Sequence, residues 1–109
     1  MMSSYYNDNG ELHREDGPAV VNEDGESWYL NGALHREDGP AVISKDGRKA
    51  WCVKGELHRE DGPAVIHEDG RAKVWYINGK QCNSSKEYQE SANLTNEEML
   101  IIVIKYGDI

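Results

Sequence analysis

The chain contains no phenylalanine, only two cysteines and three prolines, and nothing that could be called a long hydrophobic run. Each shortage excludes something. Without Phe, and with 29% charged residues and a mean hydropathy of -0.79, the chain cannot build a large apolar core, so its three Trp and six Tyr must carry most of the packing. The longest apolar run, Met99–Ile104, is far short of the ~20 residues that span a bilayer. No basic segment followed by an apolar stretch opens the chain, so no signal peptide is read and a soluble, cytoplasmic protein is expected. In that compartment Cys52 and Cys82 are expected as free thiols. Basic residues are also scarce: 12 Lys and Arg stand against 20 Asp and Glu, for a net charge of -8. Such a field opposes attraction to phosphate backbones and anionic membranes, so neither direct nucleic-acid binding nor membrane binding is expected. Enzyme motifs are missing too. There is no glycine-rich phosphate loop, no G-x-S-x-G and no H-E-x-x-H, and no Ser or Cys nucleophile recurs beside the histidines, so neither an enzyme nor a cofactor is read.

What the chain does have is repetition. The nonapeptide LHREDGPAV stands at Leu12–Val20, Leu34–Val42 and Leu57–Val65. Aligned on it, three units run over residues 9–30, 31–53 and 54–77, and Asn78-Gly79-Lys80 opens a fourth that is not completed. A catalytic site is built once per chain, so the repeat reads first as architecture, with periods in the twenties marking stacked supersecondary units. Each unit carries an Asn-Gly or Lys-Gly pair, an Asp-Gly pair, and a closing Trp28, Trp51 or Trp75. The Asp-Gly and Asn-Gly pairs supply the positive backbone φ of tight hairpins. Ala19-Val20-Val21 and Ser27-Trp28-Tyr29-Leu30 therefore read as the two strands of one hairpin. Alternation places Trp28 and Leu30 on one face, with Tyr29 on the other, so that Trp28, Trp51 and Trp75 begin a ladder of Trp and aliphatics. Gly17-Pro18, Gly39-Pro40 and Gly62-Pro63 fall at strand starts, where a residue without an N–H is tolerated. The distance from Asp-Gly to Trp grows by one residue per unit, which longer turns or bulges must absorb, because a bare slip would exchange the faces.

The order aromatic, Asn-Gly, His, Gly, Asp-Gly, aromatic over Tyr5–Lys80 resembles the MORN (membrane occupation and recognition nexus) repeat, and its wording is similar to short repeat proteins of bacteriophages, giant viruses and some bacteria. The resemblance implies an elongated, open, mainly β sheet of stacked antiparallel hairpins serving as a scaffold or binding surface. Where that repeat writes His-Gly-x-Gly, this chain writes Arg-Glu-Asp, so a lipid-binding role is not carried over.

The tail, residues 81–109, reads differently and belongs to the same single domain 1–109. Ser84-Ser85-Lys86-Glu87 and Thr95-Asn96-Glu97-Glu98 both fit a capping box. Helices are expected at about Ser85–Ser91 and Asn96–Lys105, the second apolar almost all round and therefore in need of burial. It caps the end of the array, or offers a face to a partner or second copy, or forms a buried strand over Ile101–Tyr106.

The charged loops remain. His13, His35 and His58 invite a metal, but equivalent residues in successive units stand ~10 Å apart, twice the strand spacing, and zinc needs ligands at ~2.0–2.3 Å. His67 has no counterpart, and no metal is expected. A structural role is available to every member of the motif: Asp in the turn, Arg14, Arg36 and Arg59 in bidentate pairs with carboxylates, His donating to a neighbouring carbonyl. Two functional alternatives use the same loops. The arginines, with Tyr29 and Tyr76, form a comb for an anionic ligand such as a cyclic nucleotide; or the acidic array mimics nucleic acid. The expected function is non-catalytic binding of another protein through the sheet face bearing Tyr29, Cys52 and Tyr76 and the His-Arg-Glu-Asp edge. By the resemblance that partner is a host protein, such as one of a defence system, met in the host cytoplasm. Open first and last strands leave room for a homodimer.

Overall fold

The computed structural model describes residues 2–109. Its repeats fold as paired hairpins, because each unit carries two separate turn sequences. The Asp-Gly turns join β2 (Val20–Asn22) to β3 (Gly25–Ser27), β6 (Val42–Ser44) to β7 (Lys49–Ala50), and β10 (Val65–Ile66) to β11 (Lys73–Ile77). The Asn-Gly or Lys-Gly turns join β4 (Tyr29–Leu30) to β5 (Ala33–Leu34), β8 (Cys52–Val53) to β9 (Glu56–Leu57), and β11 to β12 (Lys80–Cys82). In the latter set both turn residues have positive φ: 48° and 82° at Asn31-Gly32, 52° and 82° at Lys54-Gly55, 50° and 79° at Asn78-Gly79. That is the primed turn whose twist suits a two-residue hairpin.

With β1 (Ser3–Ser4) at one edge, the strands form an antiparallel sheet of eight in the order β1-β2-β3-β6-β7-β10-β11-β12, while β4-β5 and β8-β9 stand apart as two-stranded ribbons. The molecule is elongated, 44 × 28 × 19 Å. The growing turn distance is absorbed in the loops. Two residues separate the paired Asn22 and Gly25, three separate the bonded Ser44 and Arg48, and four separate the bonded His67 and Ala72, so the strands keep their faces.

The expected strand Ser27–Leu30 is not continuous. Trp28 belongs to neither β3 nor β4, because its N–H donates to Ala41 of the next unit (2.7 Å) while its carbonyl accepts from His35 of its own ribbon (3.0 Å). At Trp28 the chain leaves the sheet and enters the ribbon; Trp51 repeats this through Ala64 and His58. Only β11 runs straight through its Trp, where no following unit takes the N–H and Trp75 pairs with Cys82 of β12. Ala19, Ala41 and Ala64, the alanines of the three Gly-Pro-Ala segments, have no exposed surface, and their carbonyls receive the N–H groups of Tyr5, Trp28 and Trp51.

Trp28 with Leu30 and Trp51 with Val53 line equivalent open grooves and Trp75 with Ile77 enters the core, so the expected ladder of Trp and aliphatics is present but unevenly buried. Trp28 and Trp51 are only half-buried, each covered by an arginine, and the largest apolar cluster lies at the C-terminal end instead: Trp75, Ile77, Cys82, Tyr88, Met99 and Ile102. That cluster is closed by α1 (Ser85–Ser91) and α2 (Asn96–Tyr106), so the tail is helical over Ile101–Tyr106 and no strand forms there. Thr95 and Glu98 make a complete capping box. At α1 only half forms, since the Ser84 hydroxyl accepts from the Glu87 N–H but the Glu87 carboxylate reaches back to the N–H of Asn83. Both cysteines are free and buried.

Candidate functional site

The histidine, arginine and aspartate of the repeated His-Arg-Glu-Asp segment each have a defined structural task. The histidines stitch adjacent ribbons: Nδ1 of His13, His35 and His58 accepts the backbone N–H of Asn31, Lys54 and Asn78, at 2.9, 3.0 and 2.9 Å. The expectation that they donate to a carbonyl is therefore reversed. An accepting Nδ1 fixes the Nε2–H tautomer and uses the lone pair that a metal would need. Among the described residues no three His, Cys, Asp or Glu side chains converge as metal ligands.

The arginines stand over aromatic rings eight or nine residues earlier in the chain. The guanidinium carbons of Arg14, Arg36 and Arg59 stand 4.2, 3.9 and 3.8 Å from the ring centres of Tyr5, Trp28 and Trp51. Each Nε donates to the aspartate two residues on (Asp16, Asp38 and Asp61, at 3.0, 2.9 and 2.9 Å), and each Nη1 donates to the carbonyl of Pro18, Pro40 or Pro63. The expected bidentate carboxylate pair is replaced by one carboxylate and one carbonyl. Folding the guanidinium over its own loop requires Gly17, Gly39 and Gly62, where an added Cβ would stand 3.1, 2.9 and 2.9 Å from that arginine's Cζ. Tyr5 is the ring that sequence reasoning left without a role. Its place before Asn9-Gly10 matches that of Trp28 before Asn31-Gly32, lengthened by one residue.

This disposition turns the charge of the edge inside out. The arginine side chains are 29%, 21% and 10% exposed, whereas Asp16, Asp38 and Asp61 are 88%, 87% and 82% exposed. Hydrogen bonding and attraction from Arg36 hold the Asp38 carboxyl below the usual carboxylate range. With each Asp paired to Arg, the carboxylate of each loop left without an arginine is Glu15, Glu37 or Glu60, near the Nε2 of its histidine at 3.9, 3.8 and 3.3 Å. Successive loops enclose two equivalent open grooves. One, of about 660 Å³, lies over Trp28 and Leu30 between the first and second loops; the other, of about 680 Å³, lies over Trp51 and Val53 between the second and third.

Tyr29 and Tyr76 are half-buried beside this edge. Their carbonyls accept the N–H groups of Arg14 and Arg59 (3.0 and 3.2 Å), as that of Cys52 accepts from Arg36 (3.0 Å). Cys52, however, is only 4% exposed and contributes nothing to an open face. Comparison with protein-family models, curated proteins and solved structures finds no match to this chain.

Proposed function

We propose that this chain is a non-catalytic repeat protein that binds another protein through its His-Arg-Glu-Asp edge, and that the surface it recognises is basic. What supports the reading is the disposition of charge: three guanidinium groups are covered and engaged internally, while six carboxylates of Glu15-Asp16, Glu37-Asp38 and Glu60-Asp61 face solvent at the repeat spacing. Equivalent carboxylates in successive units are ~10 Å apart. A row of this kind, in a chain of net charge -8, steers a positively charged partner and opposes polyanions. A partner whose own ligand is a nucleic acid fits best, which joins the binding-module reading to that of an acidic mimic. The likeness to MORN-type repeats of bacteriophage proteins makes that partner a host protein, for instance one of a defence system, met in the host cytoplasm; this step is analogy from the repeat wording. A small anionic ligand held by the arginines is the weaker alternative, since Nε and Nη1 of each already have acceptors.

The test is capture from a bacterial lysate with the wild-type protein and with Glu15→Gln/Glu37→Gln/Glu60→Gln, followed by calorimetry on the purified pair. One stoichiometric basic protein, weakened by added salt and lost with the triple variant, is the expected result. Equal capture by the triple variant would defeat the proposal, as would a purified chain carrying a nucleotide absorbance at 260 nm that Arg36→Ala removes.

A further inference from the structure

Helix α2 has two apolar sides and uses one of them. Met99 and Ile102 are buried in the terminal cluster, with Val103 and Tyr106 packed against it. On the opposite side Leu100, Ile101 and Ile104 are 59%, 65% and 76% exposed. At 3.6 residues per turn these three share a stripe with the exposed Glu97 and Lys105. Three such side chains together expose on the order of 300 Å² of apolar surface, the size of the largest patch on a typical monomer, which is often a functional one.

From the order of residues along this stripe we infer that it binds the same stripe of a second copy, with the two α2 helices antiparallel about a two-fold axis through Ile101. Glu97 and Lys105 stand four residues to either side of Ile101. In that arrangement each Glu97 faces the Lys105 of the other copy, at both ends of an apolar centre made of Leu100, Ile101 and Ile104. The stripe is thus complementary to itself, as an isologous contact requires. Among the described residues neither Glu97 nor Lys105 takes part in an ion pair within the chain; Lys105 has only the Tyr106 ring, 5.8 Å from its Nζ. The apolar area falls below the ~800 Å² per partner of a standard interface. Association is therefore weak and concentration-dependent. The inference stands independently of the acidic edge, which lies on other elements.

Sedimentation equilibrium tests it. The mass should rise with concentration from 12.3 kDa towards twice that value. Ile101→Asp, on the exposed side of the helix, should raise the dissociation constant more than tenfold with helix content unchanged by circular dichroism. Glu97→Lys and Lys105→Glu should each weaken self-association, and the two variants mixed should associate with each other, because every facing pair is then opposite in charge. A monomer at all concentrations would overturn the inference and leave the stripe to a foreign partner. An Ile101→Asp protein that still dimerises, or charge variants that ignore one another when mixed, would overturn it equally.

Discussion

The guanidinium of Arg36 lies 3.9 Å from the ring centre of Trp28, eight residues earlier in the sequence, at the other end of the same ribbon hairpin β4-β5. Two hydrogen bonds hold it there, from Nε to Asp38 and from Nη1 to the Pro40 carbonyl. Arg36→Ala uncovers Trp28 and removes both bonds, at an expected cost of about 2–3 kcal/mol. Arg36→Lys should recover less than half of that, because an ammonium cannot stack while donating in two fixed directions. Urea denaturation of the two variants decides this; equal stability of Lys and Arg would mean that the planar group is unimportant.

At Gly39 an added Cβ would lie 2.9 Å from Cζ of Arg36, so Gly39→Ala displaces the guanidinium although the backbone there needs no positive φ. A loss of about 1–3 kcal/mol is expected. In Gly39→Ala/Arg36→Ala the two losses should be far from additive, since both act on one interaction. Additive losses in a double-mutant cycle would show that the glycine serves something other than the arginine.

His58 and His67 should differ. Removing His58 leaves the Asn78 N–H without its acceptor and is expected to cost about 1–2 kcal/mol. His67 is exposed and has no counterpart of that bond, so His67→Ala should stay within about 0.5 kcal/mol. Comparable losses at the two positions would remove the histidine stitch from the account of stacking.

The cap should fail in alkali. Burial pushes the Tyr88 hydroxyl up to about 12 from an ordinary value of 10.0. The hydroxyl lies 2.5 Å from the Arg59 carbonyl and 3.1 Å from that of Gly62. Because the folded value lies above the unfolded one, the stability linked to this group is fully present below pH 10 and is lost as pH rises through about 12. Phenolate absorbance and circular dichroism followed together should show α1 and α2 loosening in that window, and Tyr88→Phe should flatten the pH dependence. A cap that holds unchanged to pH 13 in the wild type would contradict the assignment.

Much of the fold was legible in the chain because it rests on local rules. Positive-φ turns at Asn31-Gly32, Lys54-Gly55 and Asn78-Gly79, and the Thr95–Glu98 capping box, depend on neighbours within a few residues. The break at Trp28 was not legible. Its cause is the carbonyl of Ala41, thirteen residues away in the next unit, and alternation within a strand carries no information about a second sheet. The site divides in the same way. The motif could be recognised as a stacking device, yet whether arginine or carboxylate faces solvent depends on which ring lies beneath the guanidinium.

At the last repeat both kinds of information meet. No fourth arginine follows Trp75, so the sequence alone determined that this ring needs another cover. The tertiary structure decided that Tyr88 and Tyr106 supply it edge-on, at 4.8 and 6.2 Å between ring centres. It also decided that, with one side of α2 committed there, Leu100, Ile101 and Ile104 face outward. The sequence determined how many units there are and where each turns, because turn chemistry is local. Which side of each element meets another was settled by packing between units distant along the chain.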